Sequence, residues 1–137
     1  MAIIDKDTPL GFKLAPVSRQ FDVSMFGAGG ALTLHNDQAA AEAEGLPGPI
    51  AVGPQVAALI FRMMRSSFED GWFVGGQSDL VFRRPISSNA FATAKGYVHG
   101  KELTEDANKI RVICKVWVQS ETEAKAIVGT ASGLVDA

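Results

Sequence analysis

His35 is the side chain best suited to moving a proton, since imidazole can serve as general acid and general base. It opens the stretch His35-Asn36-Asp37, just ahead of an alanine-rich run. Further on, Gly45-Leu-Pro-Gly-Pro-Ile-Ala-Val-Gly-Pro54 turns a Gly-Pro corner into Val56-Ala-Ala-Leu-Ile-Phe-Arg-Met-Met64. Pro54 fits the first turn of a helix, where a missing N–H costs nothing. The N–H of Gly53, at the start of that helix and the positive end of its dipole, is placed to hold a developing oxyanion. A proton-transfer group with an oxyanion donor points to carbonyl chemistry.

The elements that would hold these groups follow from patterning. Asn36 or His35 can cap a short helix over about 37–44, which Gly45 and Pro47 stop. A long helix runs from about Pro54 to Ser67 and is apolar nearly all the way round, with Arg62 its only charge before Arg65, so burial on most sides is expected. Ahead of them the chain is irregular, with a glycine break at 27–30. After them every segment reads as strand: Trp72 to Arg83, Ala90 to His99, Lys109 to Gln119 and Ala126 to Val135. Ile110, Val112, Cys114, Val116 and Val118 alternate onto one apolar face, which makes Cys114 a core residue. Ala92, Ala94, Gly96 and Val98 make a small-residue face that lets a helix lie close, with Thr93, Lys95, Tyr97 and His99 opposite. The expected fold is α+β: a hot-dog domain spanning 1–137, its antiparallel sheet wrapped around the long central helix. Open strand edges favour a homodimer.

A length of 137 residues suits one domain with one core. The net charge of −2, without a basic cluster, argues against a nucleic-acid surface. No apolar run approaches the roughly 20 residues of a membrane span, and the start of the chain lacks a signal-peptide pattern, so a cytoplasmic protein is expected. One cysteine precludes an internal disulfide, and two histidines with one cysteine offer little for structural zinc.

The chain resembles the MaoC-type hot-dog family of (R)-specific enoyl-CoA hydratases and dehydratases. The likeness rests on Ser24-Met-Phe26, the Gly29-Gly30 to His35-Asn-Asp37 loop, Gly45-Leu-Pro-Gly-Pro-Ile-Ala-Val-Gly53, Phe82-Arg-Arg-Pro-Ile86 and Gly129-Thr-Ala131, taken in order. In that family a loop G-D-x-N-P-x-H supplies an Asp and a His that act on water and on the α-proton. With His35 on the motif histidine, Gly30 stands at the Asp position, Leu32 at the Asn and Thr33 at the Pro. Where the family often has His-Gly at the helix start, Val52 replaces the histidine and Gly53 remains.

The resemblance therefore implies an acyl thioester or related carbonyl substrate, with CoA or acyl carrier protein entering only as part of it. His35 is the implied acid/base and Gly53 the oxyanion donor. Asp37 and Asp79 are the carboxylates considered for the vacant acid role; each also has a plainer reading, Asp37 beside a helix dipole and Asp79 exposed on a strand. Leu32 and Val52 make for a less polar pocket, and Arg83 and Arg84 are placed to meet a CoA phosphate. Three functions follow: a hydratase or dehydratase, a specialised isomerase, cyclase or thioesterase, or a degenerate ligand-binding subunit. A carboxylate converging on His35 favours the first two, and its absence the third.

Overall fold

The computed structural model describes residues 2–27 and 30–137, so Gly29 of the loop likeness lies outside the described residues. Strand β1 (Val17–Gln20) leads through a 3-10 turn (Val23–Phe26) and a loop to helix α1 (Gln38–Ala43). Helices α2 (Gly53–Phe68) and α3 (Asp70–Gly75) follow, then β2 (Gln77–Phe82), β3 (Phe91–Leu103), β4 (Lys109–Ser120) and β5 (Ile127–Asp136). The strands form one sheet in the order β1-β3-β4-β5-β2, antiparallel throughout, with β1 and β2 at its edges.

Helix α2 packs against β1, β3, β4 and β5. Its Val56, Leu59, Ile60, Met63, Met64 and Phe68 are buried against the alternating inner residues Ala92, Ala94, Val98, Val112, Cys114, Val116 and Val118. The two face assignments made from alternation therefore hold, and the small side chains of β3 leave room for the helix. Gly96 is required there: a Cβ would come within 2.7 Å of the Lys115 carbonyl oxygen and 3.0 Å of Val116 Cγ1. Burial pushes the Cys114 thiol up to about 12. No helix among the described residues is long and apolar enough to cross a membrane.

The expected strand from Trp72 begins instead as α3, and β2 starts only at Gln77. Two glycines explain the shift. A side chain at Gly71 would collide with the Leu134 carbonyl, and one at Gly75 with the Leu134 side chain, so this short helix lies flush on β5. Its Trp72 stacks on Phe61 of α2, with centroids 5.8 Å apart. Six residues are too few to establish a helical period, and apolar Trp72-Phe-Val74 reads equally as strand. Helix α2 also keeps an open stripe, Gln55, Arg62, Arg65 and Ser66, so the sheet encloses one side and not its whole circumference. The cap of α1 is Asp37, which accepts from the Ala40 N–H at 2.9 Å, rather than His35 or Asn36.

Candidate active site

The His35 ring is fixed by a backbone exchange between two loops. Ile50 N–H donates to the Leu34 carbonyl at 3.0 Å, and His35 Nδ1 donates back to the Ile50 carbonyl at 2.8 Å. A carbonyl only accepts, so Nδ1 carries a proton, and the tautomer this bond selects has its lone pair on Nε2. The same segment is held from the other side, where Ala51 N–H donates to the Ile86 carbonyl at 2.9 Å and Ser88 N–H to the Pro49 carbonyl at 3.0 Å. Asn36 shapes the histidine loop: its Oδ1 accepts from Thr33 N–H at 2.8 Å and its Nδ2 donates to the Ala31 carbonyl at 2.7 Å. Thr33 Oγ1 in turn accepts from His35 N–H at 3.2 Å.

His35 and Gly53 line one cavity of about 240 Å³, with Ile50, Val56, Phe82 and Ile86 among its apolar walls and Arg83 and Arg84 beside them. Gly53 is the first residue of α2. Pro54 has no N–H, and Gln55 and Val56 both donate to the Val52 carbonyl, at 3.0 and 3.2 Å. That leaves the Gly53 N–H as the donor of this turn without an acceptor among the described residues. A Cβ on Gly53 would sit 3.2 Å from Phe82 Cε1, so glycine lets the ring close over the helix start. Among the described residues no Asp or Glu lines the cavity, and none form a group of three or more His, Cys, Asp or Glu able to hold a metal ion.

No protein-family model matches the chain, and no curated protein does. Solved structures do. A MaoC-like dehydratase from Rhodospirillum rubrum superposes with a TM-score of 0.75 at 17% identity, covering 96% of this chain and 94% of that one. A monoamine oxidase regulatory protein from Archaeoglobus fulgidus gives 0.74 at 18%, covering 98% and 95%. The (R)-hydratase from A. caviae involved in PHA biosynthesis gives 0.66 at 22%, covering 95% and 98%. This chain has the MaoC-like hot-dog fold.

Within the MaoC-like fold, the structure brings four of the sequence candidates together, His35, Gly53, Arg83 and Arg84, and leaves four outside the cavity. Asp37 is engaged as the α1 cap. Asp79 lies on exposed β2, opposite Thr130, and lines a groove on the outer face of the sheet. Leu32 is 74% exposed and belongs to the surface of the loop, and half-buried Val52 packs on the core as the cap of α2. Gly30, at the MaoC motif's Asp position, has φ +73°, a left-handed conformation that favours glycine. Patterning missed the Ile50 carbonyl and Asn36 as the groups that orient His35. A backbone acceptor leaves no residue-type signal, while Asn36 was visible but read as a helix cap.

Proposed function

We propose that this chain binds a short acyl thioester, or a related carbonyl compound, in the His35 cavity and adds or removes water across its α,β double bond. The carrying observation is the Nδ1 bond to Ile50, which leaves Nε2 as the nitrogen of His35 free to take a proton, on a residue that lines one cavity together with Gly53. In hydration, Nε2 takes a proton from water as the water oxygen bonds to Cβ. The double-bond electrons move toward the carbonyl oxygen, and the Gly53 N–H and the α2 dipole hold the resulting enolate. The imidazolium then returns its proton to Cα, and dehydration is the reverse. One group makes both transfers in turn, so turnover should be slower than with two residues of divided roles. A cavity of about 240 Å³ favours a short acyl group.

The absence of a carboxylate from the cavity lining supports a second reading, a ligand-binding subunit that completes a partner's site. Loss of enoyl absorbance from a short trans-2-enoyl thioester separates the two. A hydratase should turn over in the native form and fall by at least about 100-fold in His35→Ala with thioester affinity nearly kept, because the imidazole acts mainly in the transition state. A native protein that binds the thioester without turnover is a binding subunit. One that does not bind it has another ligand.

A further inference from the structure

The His35 cavity has one apolar wall that the core does not hold. Its inner lining, Ala51, Val56, Ile86, Ala126 and Ile127, is at most 6% exposed and belongs to the hydrophobic core. A close-packed interior does not retreat to admit a larger guest, because each displaced side chain would strain its neighbours. Phe82 differs: it lines the same cavity, yet it is 55% exposed and stacks on no other ring among the described residues. The strand register places it there. Phe82 is the last residue of edge strand β2, opposite Ile127 of β5 and two positions after Leu80, which packs on the core, so alternation puts its ring on the α2 side of the sheet. Beyond it the ladder breaks in the manner of a bulge, with the N–H groups of Arg83 and Arg84 both donating to the Ala126 carbonyl, at 2.8 and 3.1 Å. The ring reaches the start of α2, where its Cε1 and Cδ1 lie 3.2 and 3.4 Å from the position a Cβ on Gly53 would take.

We infer that Phe82 sets the size of the acyl group the cavity takes, in favour of a short, straight chain. The inference rests on the thioester reading of the His35 cavity. A carbonyl held by the Gly53 N–H has two arms. The carrier arm is polar and leaves by the exposed side, so the acyl arm is left with the apolar walls. Carbons added beyond Cβ meet either core side chains that do not yield or the volume that the Phe82 ring fills. The ring is the part of the lining that substitution can remove without opening the core, and it is therefore the residue that decides between acyl lengths.

The test uses the full chain and two acyl lengths, four and eight carbons, each carried on pantetheine. Saturated thioesters give Kd by calorimetric titration, and the trans-2-enoyl thioesters give kcat/KM. The native chain should prefer four carbons by at least about tenfold in both measurements. Phe82→Ala should erase that preference by improving the eight-carbon ligand, Phe82→Leu should reduce it, and Leu103→Ala, on the exposed end of β3, should leave it as it is. General damage to the fold lowers both lengths together, so the ratio isolates the ring; circular dichroism and light scattering check fold and assembly, and Phe82→Leu carries the comparison if Phe82→Ala does not fold. Equal use of both lengths by the native chain, or a preference that survives removal of the ring, overturns the inference and leaves the hydratase standing. A length preference in Kd that loss of the ring erases, with no turnover of either enoyl thioester, upholds Phe82 and removes the hydratase. A chain that binds neither thioester overturns both.

Discussion

Replacing Leu59 by alanine tests the packing that positions both halves of the site. Leu59 is 1% exposed, on the face of α2 turned to the sheet, whereas Arg62, one turn along, is on the open stripe. Removing three buried carbons at about 0.8 kcal/mol each costs roughly 2.4 kcal/mol in transfer free energy. The sheet cannot follow the shortened side chain, so a residual void of about 50 Å³ at ~24 cal/mol per Å³ adds about 1 kcal/mol. The expected loss, within a range of about 2 to 5 kcal/mol, should appear in urea unfolding as a lower midpoint at unchanged slope. In a thermal melt it corresponds to a drop of about 10 to 15 °C. Arg62→Ala should change stability by less than about 0.5 kcal/mol. A Leu59→Ala loss below about 1 kcal/mol, or equal losses at the two positions, would refute the placement of α2 against the sheet.

Three further outcomes are expected. With its thiol pushed up to about 12 by burial, Cys114 should resist alkylation at pH 8.5 in the folded chain and react readily in urea. The same raised value means that the stability contribution of the neutral thiol is complete below the unfolded cysteine value and is lost as pH climbs from there toward about 12, a loss that Cys114→Ala should remove. Rapid labelling of the native protein would contradict the core assignment. We also expect a homodimer, because edge strand β2 is almost wholly exposed and Val81 and Phe82 at its end are each 55% exposed. A concentration-independent monomer by light scattering would rule it out.

The fold was legible where alternation and length left one interpretation. β4 alternates without exception over its inner residues, and the long apolar run after Pro54 marks α2, so the sheet and the helix on it could both be anticipated, though not the open stripe of the helix. The stretch from Trp72 was not legible, because the packing of Gly71 and Gly75 against Leu134 is a tertiary fact with no local signal. At the site, His35 and Gly53 were visible by residue type and by the resemblance, and the arginines by their place at a strand end. Asp37 and Asp79 could not be placed in advance. Whether a carboxylate turns toward the imidazole depends on the cap geometry of α1 and on the side of the sheet that position 79 takes. The tautomer of His35 is set by a main-chain oxygen.

The central claim is that His35 carries a proton between water and Cα while Gly53 holds the enolate. The most direct measurement is proton NMR of a short trans-2-enoyl thioester incubated in D2O with the native chain and with His35→Ala. The native chain should yield a 3-hydroxyacyl thioester carrying one deuterium at Cα, and His35→Ala should form it no faster than buffer. Product formed at the same rate by both proteins, or native protein that binds the thioester and yields no 3-hydroxyacyl product deuterated at Cα, would contradict the assignment of His35 as the acid/base.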